Sequence, residues 1–130
     1  MALEAKPIDI GGLSWVDRSE KLVSEFRMAQ QDAEAYGFEL PSNDAVARAV
    51  ALLTHIARST TSTESVDVAV GEDGSVEITV VLGRELIVVA IPPSGTRMEM
   101  VVQNWKSGEI LAPCTRVSED VVVQRIERAA

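Results

Sequence analysis

Cys114 and His55, each the sole residue of its type, are the side chains best suited to act as a nucleophile and its general base. Such a pair needs an activated thiolate, which a helix start or a nearby cation would supply. No helix start falls at Cys114. At 100° per residue His55 lies nearly opposite Val46 on its expected helix, beside Arg48 and Arg58, so a solvated histidine is expected there rather than a base. The neighbouring carboxylates Glu72-Asp73 and Glu119-Asp120 have simpler explanations. The first pair suits a tight turn and the second the first turn of a helix, where the helix dipole favours negative charge. One histidine and one cysteine do not make a zinc site. Gly71-Glu72-Asp73-Gly74 and Gly11-Gly12 lack the lysine and the strand-to-helix setting of a phosphate loop. No cofactor and no metal are therefore expected, and the chain reads as a non-enzyme.

The elements that would position any other site are clearest over residues 66–103. Val66, Val68 and Val70 alternate with Asp67 and Ala69, as a half-buried strand should. Glu72-Asp73-Gly74 then suits a three-residue hairpin loop, with glycine where φ is positive, and this places Val70 opposite Val76 and Val68 opposite Ile78. Gly83-Arg84 reads as a two-residue turn, pairing Val81 with Leu86 and Val80 with Ile87. Pro92-Pro93-Ser94-Gly95 reads as a four-residue connection that sets Val89 opposite Met98 and Ile87 opposite Met100. All three turns keep one face apolar, and a slip of one residue would reverse every side chain.

The same register defines a second face, carrying Asp67, Ala69, Glu77, Thr79, Val81, Leu86, Val88, Ala90, Arg97, Glu99, Val101 and Gln103. Its ends are polar and its middle is not. Val81, Leu86, Val88 and Val101 fall where a solvated sheet face would carry polar side chains, so a cover is expected: the C-terminal helix, a second copy of the chain, or a partner.

Helical patterns flank the sheet. Asp17-Arg18-Ser19-Glu20 has the form of a capping box, with Asp17 as the N-cap of an amphipathic helix that ends at Gly37. Trp15 and Val16 are expected to pack back on its first turn or to fill the core edge. A second helix should start at Ser42, with Val46, Ala49, Val50, Leu53 and Ile56 on one side. Residues 58–65 read as a Ser/Thr-rich connector. Beyond the sheet, residues 104–109 form an exposed turn before the short apolar piece Ile110-Leu111. Trp105 in that turn is either a recognition residue or a cover for the sheet edge. Ser118 caps a final helix, with Val117 and Val122 as a staple, and this helix is the candidate lid for the second face.

The fold expected is therefore α+β: two N-terminal helices on an antiparallel meander of four or five strands, closed by a C-terminal helix. At 130 residues and 46% hydrophobic content the chain suits a single domain, with residues 1–13 as a flexible lead-in. The net charge of −8 opposes binding to nucleic acid or to an anionic membrane and suits a basic protein partner. A lone cysteine forms no disulfide within the chain, the N-terminus does not resemble a secretion signal, and no uncharged apolar run approaches about 18 residues, so the cytoplasm is the default location.

Tyr36-Gly37 with Pro41-Ser42, the alanine-rich residues 45–53 and Asp73-Gly74-Ser75-Val76-Glu77 resemble a group of small, uncharacterised bacterial proteins. In these a Trp-Asp-Gly-Tyr-Gly-Ala segment precedes a proline and a helix, and an Asp-Gly hairpin follows. The likeness spans residues 33–91, although Ala33, Glu34 and Ala35 replace the start of the motif. It implies a bacterial or phage origin and a helix-then-meander order. Its context also suggests an antitoxin-like, immunity-like or inhibitor protein.

Together these features favour a small acidic interaction module for a basic protein partner. The residues expected at the contact are Val81, Leu86, Val88, Val101 and Trp105. The alternative is a dimeric secretion-chaperone-like protein, which residues 66–103 fit less well because they leave no room for the helix that usually interrupts such a sheet.

Overall fold

Turn chemistry sets the sheet. In this computed structural model, which describes residues 8–9, 14–59 and 65–129, Gly74 at φ 85° closes the hairpin between β2 (Ser65–Val70) and β3 (Val76–Leu82). Val70 faces Val76 and Val68 faces Ile78. Gly83 at φ 60° then turns the chain into β4 (Glu85–Ile91), pairing Val81 with Leu86 and Val80 with Ile87. Both registers are those expected from the loop lengths.

The next connection differs. Val89 pairs with Met100 and Ile87 with Val102 on β5 (Met98–Asn104), two residues further along than Pro92-Pro93-Ser94-Gly95 implied. The turn does form, with the Gly95 N–H donating to the Pro92 carbonyl at 2.8 Å, but the chain then adds Thr96 and Arg97, the latter at φ 52°. A shift of two preserves side-chain parity, so both faces keep their expected residues.

A further strand follows. Residues 104–109 form the expected turn, but Ile110-Leu111 opens an eight-residue strand, β6 (Ile110–Val117), paired antiparallel with β5. Two register shifts and Pro113 interrupt its ladder, and its burial shows no alternation, so no period-two pattern marks it in the sequence. The result is a five-stranded antiparallel meander, extended at its β2 edge by the two-residue β1 (Ile8–Asp9).

Among the described residues three helices pack on one face of the sheet. The first, α1 (Trp15–Ala35), begins three residues earlier than expected, because Ser14 and not Asp17 is its cap: the Asp17 N–H donates to Ser14 Oγ at 3.2 Å. Trp15 and Val16 thereby enter the first turn at 43% and 45% exposure, outside the core, and the Arg58 guanidinium lies 4.7 Å from the Trp15 ring centre. Ser42 caps α2 (Asn43–Ser59) as expected, accepting the Ala45 N–H at 3.1 Å. Arg18 ties the two helices together, its Nε and Nη2 donating to the Ala57 carbonyl at 3.1 and 2.9 Å.

The C-terminal helix, α3 (Glu119–Ala129), follows Ser118. It is not a lid for the second face. Val122 and Ile126 are buried in the same core as Leu22, Phe26, Leu53 and Ile56, together with the inward side chains Ile78, Leu82, Ile87 and Val102. Arg125 holds this placement, donating to Glu85 at 2.7 Å from α3 to β4. All three helices therefore share the inner face.

The β4–β5 loop docks on α2. Ser42 N–H donates to the Pro93 carbonyl and Arg48 Nε to the Gly95 carbonyl, at 3.1 and 2.6 Å. Gly95 sits so close that a Cβ there would lie 2.5 Å from Ala45 N. Among the described residues no helix is long and apolar enough to cross a membrane. The Ser/Thr connector falls largely on residues 60–64, outside the described residues, as do residues 1–7 and 10–13 of the lead-in.

Candidate functional site

Strand alternation builds the outer face from the residues between the core positions. Thr79, Val88 and Val101 lie opposite one another on β3, β4 and β5, and the adjacent row is Val81, Leu86 and Gln103. Leu86 and Val88 are two apart on the same strand. Val81, Leu86, Val88 and Val101 thus form one contiguous apolar patch across three strands. Each is half-buried, sheltered by its sheet neighbours, and none belongs to the core or to the apolar side chains packed against it. Among the described residues no helix covers this face.

A polar fringe borders the patch. On one side runs the row Ala69, Glu77, Ala90, Glu99 and Arg116, in which both glutamates and the arginine are exposed. Asp67, opposite Thr79, closes another side. Its Oδ1 is buried without a hydrogen-bond partner among the described residues, and burial pushes its carboxyl above the ordinary value of 3.8. An unpaired carboxylate oxygen removed from water is stabilised by any cation brought against it.

Trp105 is tied to the β3–β4 turn. Its Nε1–H donates to the Gly83 carbonyl at 3.2 Å and its backbone N–H to the Arg84 carbonyl at 3.1 Å. The ring stays 49% exposed beside the end of the sheet that carries Val81 and Leu86, with the Lys106 ammonium 5.7 Å from its centre. Four of the five residues expected at the contact, Val81, Leu86, Val88 and Val101, thus share one face, and Trp105 lies at the turn at one end of the sheet.

Two residues extend that apolar rim beyond what the sequence indicated. Ile110, opposite Gln103, is 53% exposed, and Leu111 is 44% exposed. The hairpin leading to them carried a readable signal. Asn104 Oδ1 accepts the Lys106 and Ser107 N–H groups at 3.0 and 3.1 Å, and Gly108 takes φ 75°, an Asx turn closed by glycine.

The residues suited to catalysis are not brought together. Cys114 Sγ lies 3.8 Å from Glu99 Oε2 on the outer face, whereas His55 is half-buried on α2 beneath the inner face. The sheet separates them. Asp73 Oδ1 accepts the Ser75 N–H at 2.9 Å, and the hydrogen bonds from Ser75 hold its carboxyl below the usual range, as a turn residue requires. Glu119 Oε1 is 3.7 Å from Arg48 Nη1. Among the described residues no group of three or more His, Cys, Asp or Glu side chains could hold a metal ion. No protein family, curated protein or solved structure matches the chain in comparisons with each.

Proposed function

We propose that this chain is a small acidic interaction module that takes a basic protein partner on the outer face of its sheet. The observation that carries the reading is the patch of Val81, Leu86, Val88 and Val101 on the side opposite all three helices. Apolar side chains in the middle of an uncovered sheet face suit a partner that contributes an apolar centre. Asp67, Glu77 and Glu99 suit a partner with lysines or arginines at its rim, and the chain's net charge of −8 would hasten that encounter. Trp105 is the aromatic anchor at one end. In this reading the protein works in the cytoplasm by occupying its partner, as an antitoxin, an immunity protein or an inhibitor does.

The test combines light scattering behind size exclusion with capture from host lysate. The free chain is expected to be monomeric. A captured protein of high isoelectric point should be released by salt and lost on Leu86→Arg, a variant that keeps its circular dichroism spectrum. A stable dimer formed through the same face overturns the reading, as does a partner whose retention ignores Leu86→Arg.

A further inference from the structure

Three of the chain's twelve lysine and arginine residues converge on one place. Arg48 from α2, Arg97 from the β4–β5 loop and Arg116 from β6 line a cleft of about 390 Å³, together with Met98, Val117, Ser118 and Glu119. Glu119 is the one carboxylate among these lining residues. It lies 3.7 Å from Arg48 Nη1, and Arg48 also spends its Nε–H on the Gly95 carbonyl. The guanidinium groups of Arg97 and Arg116 have no hydrogen bond or ion pair among the described residues.

Such convergence runs against the composition. Like charges repel, and in a chain of net charge −8 carboxylates are plentiful enough to partner every arginine. Arg97 adds a second oddity. It is the one described residue other than glycine with φ above zero, at 52°, a conformation that glycine would hold without strain. A long cation stands there instead, on the rim of a cleft whose other charged groups are chiefly cations.

We propose that the cleft binds a small organic phosphate monoester, with the phosphoryl group between Arg97 and Arg116. Three arginines, set against Glu119 in the cleft and Glu99 opposite Arg116 on the strand pair, leave an excess of positive charge that an anion neutralises. Arginines from three elements line the cleft, and several guanidinium forks suit a tetrahedral oxyanion better than a planar carboxylate, which one fork satisfies. The volume falls in the range of small-molecule sites and exceeds what a phosphoryl group fills, leaving room for an organic part along Met98 and Val117. The overall negative charge does not forbid this. With a screening length of about 8 Å at physiological salt, an anion in the cleft responds to the arginines beside it more than to distant carboxylates. The site does not depend on the outer face binding a partner.

The experiment titrates phenyl phosphate, inorganic phosphate and benzoate into the whole chain in a buffer free of phosphate and sulfate. Calorimetry and backbone amide NMR provide the readouts. Phenyl phosphate should bind with a Kd below about 1 mM, more tightly than the other two, and shift the amides of Met98, Val117, Ser118 and Glu119. Arg116→Ala and Arg97→Gly should each weaken it by about tenfold or more. Arg97→Gly also relieves the backbone, so lost binding there cannot be ascribed to unfolding; Arg84→Ala, outside the cleft, should bind as the parent does. No binding at millimolar phenyl phosphate, equal affinity for any of the three probes, or unchanged affinity in Arg97→Gly and Arg116→Ala overturns the proposal.

Discussion

Leu86 and Ile87 are consecutive on β4 and face opposite ways: Ile87 is fully buried beneath the helices, while Leu86 is half-buried on the face that none of them covers. One peptide bond separates the core of the molecule from its proposed contact surface.

That relationship predicts a sharp contrast between neighbours. Ile87→Ala should cost about 2–5 kcal/mol, the sum of lost transfer energy and the cavity left behind. Leu86→Ala removes a side chain already in contact with water and should cost less than about 1 kcal/mol. Urea titration of both variants measures the difference, and equal losses would mean that the outer face is packed against something in the free chain.

Asp67 supplies a dependence on pH. Its carboxyl is raised by burial above 3.8, so the unfolded chain ionises first as pH increases. Below pH 3.8 both states are protonated and the group costs nothing. Between 3.8 and the raised native value stability falls, and above that it stays level at the lower value. Asp67→Asn should therefore be more stable than the parent near pH 7 and lose its advantage in acid, as read by the urea midpoint across pH. In complex with a basic partner the preference should reverse, because the carboxylate then gains a cation.

Two glycines separate backbone strain from crowding. Gly95 and Gly108 have nearly the same φ, 78° and 75°, but a Cβ at Gly95 meets Ala45 N at 2.5 Å whereas one at Gly108 meets nothing within 4 Å. Gly108→Ala should cost about 1 kcal/mol, the penalty of the left-handed conformation alone. Gly95→Ala should cost more than about 2 kcal/mol, because the loop must also withdraw from the start of α2. Thermal unfolding of the pair distinguishes the two terms.

How much of this was legible follows from how local each feature is. The β2–β3 and β3–β4 registers could be read because Gly74 and Gly83 each close a short loop whose length fixes the pairing. The β4–β5 register could not, since nothing in Thr96-Arg97 signals that the chain continues past the proline turn with an arginine at positive φ. Parity survived that error, so Val101 still lies on the outer face beside Val88. β6 was hidden by Pro113 and two register shifts. The side taken by α3 was hidden for another reason: Val122 and Ile126 mark an apolar stripe but not which sheet face receives it. The arginine cleft was the least legible feature, because Arg48, Arg97 and Arg116 meet only after three separate elements have folded together.

In the proposed function the outer sheet face of the free chain is open and is filled by a basic protein. A photo-crosslinking residue at position 88, with a control at position 121 on α3, tests it most directly in host cells, since Val121 is also exposed but lies away from that face. One dominant adduct is expected from position 88, to a protein identified by mass spectrometry as basic, and none of it from position 121. Adducts between two copies of the chain at position 88, or the same adducts from both positions, would contradict it.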